Sequence, residues 1–396
     1  MSDFSSSEWQ RIARVNPDRF GLPRRRRKSI VVGSFNIRKL GRVTKRSPQA
    51  WDFLRTIVRR YDLLAIQEVQ ADLAGIRHLK ELAGSRYELV VSDPTGRYPG
   101  KSGASERLCF LFRRDRVQRT EVASDITYDR DRIVEVLYEY QRDFVDAFDH
   151  QRRQLRAWER RAAAARAKGK RLRGRPTTKL PHFLTFIRQP LCVSFRIGSA
   201  AAQNPYELLA VNAHLLYGAH PAERRLEFYA LMSWLVDRAR HLRRMYHPNM
   251  LLLADCNLDF REPEKERPII EAFIKSLNKS KLRSRTAAKL NFPFLDVHPA
   301  RTEVFRTNAR LGETYDQIGL VLTDKRLPDY RQNAVAGTVR DGYDYGVFNF
   351  TEMFAQALHG VSFQELRKRD QRALVRKYEY DLSDHLPIWL RLARPS

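Results

Sequence analysis

The chain has 396 residues, of which 43% are hydrophobic, so it can bury a sizeable core and is not a disordered polymer. Its 73 Lys and Arg against 46 Asp and Glu give a formal net charge of +27, which predicts attraction to a polyanion, most often nucleic acid. No apolar run approaches the roughly 18 residues of a membrane span, and the N-terminus lacks the plan of a secretory signal. The three cysteines are an odd count, which disfavours a disulfide framework and fits a reducing compartment. We therefore expect a soluble, intracellular protein.

Residues 1 to about 28 are polar and basic, and we expect them to form an N-terminal extension. They contain one short amphipathic stretch, around Trp9, Ile12 and Val15. The basic run at 23–28 is either a nuclear address or a solvated flank of the strand that follows.

Apolar runs of strand length recur along the rest of the chain and predict a protein built on β-sheets. A helical pattern follows the first strand, around residues 51–58. The predicted strands span residues 29–36, 62–68, 87–91, 108–112, 191–197, 207–214, 250–255, 315–322 and 385–392. Strands alternating with loops and a few helices are typical of an α/β or α+β enzyme.

One segment has a different character. From Ile133 to Trp158 the apolar residues recur at helical spacing, and the same stretch then becomes strongly cationic. It is either a solvated face with a loop or an arm that contacts phosphates. Its cations are Arg152, Arg153, Arg156, Arg160, Arg161, Arg166, Lys168, Lys170, Arg171, Arg173 and Arg175.

Polar residues recur where the predicted strands begin or end, the position at which a sheet can hold functional groups together. Four carboxylates, two histidines and two asparagines share this position, a set that suits metal-assisted hydrolysis of a phosphoester. Mg²⁺ prefers few carboxylate ligands, a carboxylate can activate the attacking water, and an imidazole can transfer a proton. The residues are Asn36, Glu68, His214, Asp255, Asn257, Asp316, Asp384 and His385.

The motifs around these residues, taken in order, resemble the endonuclease/exonuclease/phosphatase superfamily, most closely its deoxyribonuclease I-like branch. The resemblance covers residues from about 29 to 394. Its motifs are Ser34–Arg38, Ile66–Val69, Glu106–Arg113, Arg188–Pro190, Asn212–His214, Ala254–Asn257, Tyr315–Ile318 and Ser383–His385.

The resemblance implies an α/β fold, a four-layer sandwich in which two packed mixed β-sheets are flanked by helices. The first and last motifs must then meet in space, so residues 29–396 should form a single domain. Two insertions interrupt it, at about 125–183 (the basic helical arm) and at about 325–380. The second contains the aromatic-rich stretch 343–350, which is either a base-stacking platform or part of the core.

The resemblance also implies roles for single residues. Glu68 would be the principal ligand of Mg²⁺ or Mn²⁺, with Asn36 and Asp384 in the same metal shell. Asp255 would orient or activate the water, and Asn257 would hold the phosphate. His385, oriented by Asp316, would stabilise the phosphoryl transition state or act in proton transfer, and His214 would pair with Glu106 as a second imidazole. Arg188 would contact a substrate phosphate. Independently of the resemblance, the charge of the arm makes Arg152 and Arg156 candidate contacts of substrate phosphates.

These expectations favour a metal-dependent nuclease that hydrolyses DNA phosphodiester bonds. A second activity on the same fold remains open, because a fold does not decide its function. It is that of a phosphatase or phosphodiesterase acting on inositol phosphates or phospholipid headgroups. A non-catalytic nucleic-acid binder is the third class. The sequence does not assign the general acid between the two histidines, nor DNA over RNA.

Overall fold

The computed structural model describes residues 4–95, 105–176, 180–198, 202–216, 221–240, 249–258 and 289–395, with residue 247 and short stretches between 258 and 289. Parts of two predicted segments, residues 1–3 of the N-terminal extension and 177–179 of the basic arm, lie outside the described residues. The chain divides into two compact units. Unit 1 comprises residues 1–126 and 187–396, and unit 2 comprises residues 127–186.

Unit 1 is built on twelve described strands. They are β1 (Ser29–Leu40), β2 (Leu63–Gln70), β3 (Tyr87–Val91), β4 (Glu106–Arg113), β5 (Val117–Asp125), β6 (Leu191–Ile197), β7 (Tyr206–His214), β8 (Met250–Asp255), β9 (Lys289–Asn291), β10 (Asp316–Leu322), β11 (Asp344–Val347) and β12 (Ile388–Ala393). They form two six-stranded sheets, sheet 1 in the order β11-β12-β1-β2-β4-β3 and sheet 2 in the order β5-β6-β7-β8-β10-β9. Each is mixed, because β1 runs parallel to β2 and β7 parallel to β8 whereas the other neighbours are antiparallel.

The two sheets pack face to face through apolar side chains. Phe110 and Phe112 of β4 each lie with their ring centroids 5.4 Å from that of Phe195 of β6, so a strand of sheet 1 meets a strand of sheet 2. All three rings are buried in the main hydrophobic cluster. The predicted α/β sandwich of two packed mixed sheets with helices is confirmed.

The helices of unit 1 follow from their caps and apolar stripes. Helix α2 begins after Ser47, whose side chain accepts a hydrogen bond from the Ala50 N–H, and Pro48 occupies its first turn. The helical pattern predicted around residues 51–58 is confirmed. The helices of unit 1 include α1 (Ser6–Arg14), α2 (Pro48–Val58), α3 (Ala74–Ala83), α6 (Pro221–Arg240), α7 (Phe350–His359) and α8 (Lys368–Tyr378).

The N-terminal segment packs on the core of unit 1 and is not an extension outside it. The predicted amphipathic stretch is helix α1, and its Trp9 lies edge-on to Phe354 of α7 with ring centroids 6.3 Å apart. The Trp389 indole N–H then donates to the Gly21 carbonyl at 2.7 Å. Composition separated this segment because it is polar and basic, but Phe4, Trp9, Ile12 and Leu22 are buried.

The stretch 325–380 likewise contributes to unit 1. Its strand β11 pairs with β12 and forms one edge of sheet 1. In the aromatic-rich part, Tyr345, Phe348 and Phe350 are completely buried. The core interpretation is therefore confirmed and the base-stacking interpretation is wrong, because a ring without an exposed face cannot stack on a base.

One predicted strand begins later than expected. The last strand starts at Ile388, not at His385. Pro387 lacks the N–H that a ladder needs, so the pairing cannot run through it. His385 instead forms an isolated bridge with Asn308.

Unit 2 is helical, as its spacing predicts, with α4 (Arg130–Glu139) and α5 (Gln141–Ala167). Phe144 and Ala162 are the buried residues of α5, and its Arg152 and Arg156 are exposed. Within the part of the chain that the structure describes, no helix is both long and apolar enough to cross a membrane.

Candidate active site

The register of sheet 2 brings three of the predicted residues into one row. His214, the last residue of β7, lies beside Asp255, the last residue of β8. Asp255 in turn lies opposite Asp316, the first residue of β10. Because all three occupy strand termini at one edge of the sheet, their polar groups meet while the neighbouring apolar residues remain buried.

Asp255 is the centre of the site. Its Oδ2 lies 3.6 Å from Nε2 of His214 and 3.5 Å from Nε2 of His385. Each imidazole is backed by a second carboxylate on its other nitrogen. Glu106 Oε2 lies 3.2 Å from Nδ1 of His214, and Asp316 Oδ2 lies 2.9 Å from Nδ1 of His385. The site thus has one central carboxylate between two acid–imidazole pairs.

Sheet 1 joins this group through Asn36. Its side-chain amide donates to Asp255 Oδ2 at 2.9 Å and to Glu68 Oε1 at 3.2 Å. Strand β1 continues past Asn36 to Leu40, but its pairing with β2 shifts register between these two residues. Asn36 therefore lies at an irregular point of the sheet, where its side chain reaches the second sheet.

Glu68 has an unusual backbone. The pairing of β2 with β4 also shifts register between Ile66 and Val69, and Glu68 adopts φ +58° in the left-handed region. A non-glycine residue in that region costs free energy and persists only where the surroundings impose it. The irregularity aims the Glu68 carboxylate at Asn36 and at the Lys39 N–H, which donates to Oε2 at 3.0 Å.

Asn257 has the same feature, with φ +49°. Its N–H donates to Asp255 Oδ1 at 3.0 Å, and its side-chain amide donates to the Leu215 carbonyl at 2.9 Å. The Arg224 guanidinium donates to the Asn257 carbonyl at 2.8 Å. These bonds hold the two residues of the Asp-Cys-Asn motif in one fixed arrangement.

Charge pairing sets the protonation of the central groups. Burial alone would lower the pKa of His385, but the carboxylates of Asp255 and Asp316 outweigh it and raise that pKa well above its ordinary value. Burial would raise the pKa of Asp255, and the two imidazoles with the Asn36 amide instead lower it. The pair of a buried carboxylate and a charged imidazole is thereby favoured.

The carboxylate of the second pair is also kept ionised by its neighbours. Burial would raise the pKa of Glu106, but His214 and Arg188 outweigh it and lower that pKa to about 2. Arg188 donates through Nε to Glu106 Oε2 at 2.6 Å and lies 3.5 Å from the carbonyls of His214 and Leu215. Arg188 is thus part of the site, held on the acid behind His214.

The oxygen atoms near Asn36 suit a hard divalent cation. Asn36 Oδ1 and Asp384 Oδ1 are buried and have no hydrogen-bond partner, and Glu68 presents its carboxylate beside Asn36. Carboxylate and amide oxygens are the ligands that Mg²⁺ and Mn²⁺ take. Glu68, Asn36 and Asp384 are therefore of the chemical type that would hold the metal that the resemblance implies.

A second group of ligand-type atoms lies beside it. Asp255, Asp316 and His385 each offer an atom within 4.8 Å of the others. Both nitrogens of His385 already face a carboxylate, so the group forms an acid–imidazole–acid chain.

Asp384 is tied to the same region through its neighbours. Its Oδ2 lies 3.4 Å from the Arg38 guanidinium, and the Ser383 hydroxyl donates to the Asn36 carbonyl. The same hydroxyl accepts the His385 N–H at 3.0 Å. Ser383 thus links the metal-shell candidates to His385.

Several supporting residues have no assigned role in the sequence analysis. Gln67 donates to Ser34 and to Asn212, and so joins the sheets below the site. Gln67, Ser34 and Asn212 lie inside the motifs quoted above, and those motifs are the sequence signal that could have identified them. Arg46 donates to carbonyls of Arg38, Lys39 and Asp381 and has no such signal, because it lies in a stretch that looks like a basic loop.

The two arm residues belong to unit 2. Arg152 and Arg156 lie on α5 with exposed side chains, and Arg152 pairs with Asp149 at 3.3 Å. Exposed pairs of this kind contribute little to stability.

Part of the chain is similar in sequence to known proteins. The chain is similar to deoxyribonuclease-1 from Bos taurus, with 35% identity over 94 residues, which are 22% of this chain and 32% of that protein. The chain therefore spans about a third of the length of the curated relative it matches. No family model matches the chain.

Two solved structures are also similar. One is an endonuclease/exonuclease/phosphatase family protein from Bacteroides thetaiotaomicron, at 12% identity and a TM-score of 0.44, covering 92% of this chain and 98% of that one. The other is ANGEL2, a 2′,3′-cyclic phosphatase, at 13% identity and a TM-score of 0.46, covering 94% of this chain and 98% of that one. The sequence similarity to deoxyribonuclease-1 agrees with the resemblance that the motifs indicate.

Proposed function

We propose that this protein is a nuclease that uses a divalent metal ion, Mg²⁺ or Mn²⁺, to hydrolyse DNA phosphodiester bonds. The observation that supports it best is the arrangement around Asp255, a buried carboxylate between two acid-backed imidazoles and joined by Asn36 to Glu68. The Asn36 side-chain amide thus connects the acid–base groups to the oxygen atoms that would bind a cation.

Different side chains would serve different steps of phosphodiester hydrolysis. Glu68, Asn36 and Asp384 would hold the metal ion, which neutralises charge on the phosphate when bound. Asp255 accepts a proton from the attacking water, and its lowered pKa keeps it ionised for that task. Asn257, fixed by its neighbours, holds a phosphate oxygen.

The imidazoles serve the other side of the reaction. His385, kept charged by Asp255 and Asp316, donates a hydrogen bond or a proton to the phosphoryl oxygens. Glu106 lies beside Nδ1 of His214 and would orient the ring, whose Nε2 faces Asp255. Arg188 supports this pair and lies close enough to the site to meet a phosphate.

The substrate class follows from charge. A net charge of +27 favours a polyanion, and the exposed Arg152 and Arg156 of α5 would contact phosphates of the backbone. The matched relative is named a deoxyribonuclease, which supports DNA as the substrate. Backbone contacts of this kind bind largely without regard to sequence.

Plasmid nicking tests the proposal. We expect purified protein to nick supercoiled plasmid with Mg²⁺ and not with EDTA, and the variants Asp255→Asn and His385→Ala to lose at least about 100-fold in rate. Asp52→Asn is the matched control, because that carboxylate is exposed on α2 and pairs with Arg55.

Two other outcomes would contradict it. Release of inorganic phosphate from inositol phosphates with the plasmid left intact would assign the phosphatase activity. Tight DNA binding that ignores EDTA, without turnover of either substrate, would identify a non-catalytic binder.

A further inference from the structure

An aromatic ring lies exposed at the rim of the site. Tyr380 is 60% exposed, although it follows the buried Tyr378 by two residues and precedes Asp384 by four. The guanidinium carbon of Arg38 lies over one face of the ring, 4.2 Å from its centroid. One face of the ring is therefore covered and the ring remains largely open to solvent.

Arg38 connects this ring to the proposed metal shell. Its guanidinium lies 3.4 Å from Asp384 Oδ2 and 3.7 Å from Glu379 Oε2. A cation held between two carboxylates has a fixed position, and an aromatic face attracts it. Tyr380 therefore stands one side chain away from a proposed ligand of the metal.

The backbone around Tyr380 is fixed on both sides. The Leu382 N–H donates to the Tyr378 carbonyl at 2.8 Å, and the Arg46 side chain donates to the Asp381 carbonyl at 2.8 Å. Ser383 then joins the segment to Asn36. An exposed ring on an anchored segment loses little conformational entropy when a ligand covers it.

We propose that Tyr380, stacked on Arg38, is a binding subsite for a nucleobase adjacent to the scissile phosphate. A base has a flat face that stacks on an aromatic ring without regard to its identity, and such contacts change affinity by roughly 5- to 150-fold per base. The position beside Asp384 places this base next to the phosphate at the metal site. This inference rests on the proposed action on nucleic acid and adds that the protein binds a base of the substrate as well as its phosphates.

A base-free substrate isolates the stacking contact. The probes are a labelled 20-mer of thymidylate and a 20-mer of the same phosphate backbone with tetrahydrofuran residues in place of nucleosides. Fluorescence anisotropy in EDTA gives the dissociation constant of the full chain for each probe, and the ratio of the two constants reports discrimination in favour of bases. The same pair is then used with Mg²⁺ to measure KM and kcat.

We expect Tyr380→Ala to reduce that ratio by at least about 5-fold, and Tyr380→Trp to restore it. KM for the thymidylate 20-mer should rise in Tyr380→Ala by a similar factor, with a smaller effect on kcat. Tyr330→Ala is the matched control, because Tyr330 is also exposed (45%) and also lies near Arg guanidinium groups, Arg267 and Arg331, away from the site. Melting temperatures check that each variant is folded.

The two proposals fail in different ways. If Tyr380→Ala keeps the wild-type ratio, or if Tyr330→Ala reduces it equally, the stacking subsite is wrong whether or not DNA is cleaved. If the ratio falls as expected but the wild type cleaves neither probe nor plasmid, Tyr380 binds a base and the nuclease proposal is wrong.

Discussion

Asp255 and Asp316 lie directly opposite each other on the antiparallel strands β8 and β10. Two carboxylates in that relation repel unless a cation lies between them. His385 supplies it, with Nε2 3.5 Å from Asp255 and Nδ1 2.9 Å from Asp316. The register of one strand pair thus creates the need for a charged imidazole at the centre of the site.

We expect Asp316→Asn to lower kcat for plasmid nicking by roughly 10²- to 10⁴-fold, with little change in KM. The amide has the shape of the carboxylate but no charge, so the imidazole loses its ionic partner at Nδ1 and one of the two carboxylates that raise its pKa. Steady-state kinetics over a range of plasmid concentrations measure the two constants. Asp324→Asn is the control, because that carboxylate follows the other end of β10 and pairs with Arg326. A kcat within about threefold of wild type would contradict the assigned role.

We expect Glu68→Gln and Asp384→Asn each to weaken Mn²⁺ binding by at least about 10-fold, measured by titration calorimetry without substrate. Each change removes an anionic oxygen from the proposed ligand set. Glu379→Gln provides a close control, because Glu379 shares the Arg38 contact with Asp384 but is not a proposed ligand. If all three variants bind Mn²⁺ equally, the cation does not lie at Glu68 and Asp384.

The strand ends that carry the site were predictable, because a polar residue closing an apolar run marks both a strand terminus and a sheet edge. His214 and Asp255 were found in this way. The direction of the Glu68 side chain was not predictable. It depends on register shifts and on φ +58°, which follow from the packing of three strands and not from local spacing. The resemblance implied a role for Glu68, and the structure gives the reason that its carboxylate reaches Asn36.

Long-range links between polar groups were also beyond reach. Arg46 donates to the Asp381 carbonyl, 335 residues further along the chain, and reads in sequence as one cation in a basic loop. Helix α1 was set apart by composition because its exposed face is basic, although Trp9 is buried. The Arg46 hydrogen bond and the burial of Trp9 both depend on contacts that form only after folding, and a single sequence does not indicate those contacts.

We expect the stability difference between wild type and Glu106→Gln to depend on pH below about 4.5. The pKa of Glu106 is lowered to about 2 in the fold, where His214 and Arg188 outweigh burial, from an ordinary value of 4.5. A carboxylate with a depressed pKa stabilises the fold fully above its unfolded pKa, and that contribution is lost as pH falls toward the folded value. The depression corresponds to at most about 3 kcal/mol.

Urea unfolding at pH 7, 5.5, 4.5 and 3.5 measures this difference. It should be constant at the two higher values and shrink at the two lower ones. Glu88→Gln, a half-exposed carboxylate on β3, should show no such trend. A difference between wild type and Glu106→Gln that stays the same down to pH 3.5 would show that Glu106 is not held ionised by its partners.

The basic arm is tested by the salt dependence of DNA binding. Replacing Arg152, Arg153, Arg156, Arg160 and Arg161 with Gln should make the slope of log affinity against log salt shallower, by about 0.9 for each phosphate that the arm no longer neutralises and at most by about 4.5. The physical reason is that each cation on a phosphate releases a condensed counterion, and a neutral side chain does not. Replacing the same five residues with Lys keeps the charge and should keep most of the slope, which separates charge from helix structure. An unchanged slope in the Gln variant would show that α5 is a solvated face, and the positive charge that grips DNA would then belong to unit 1.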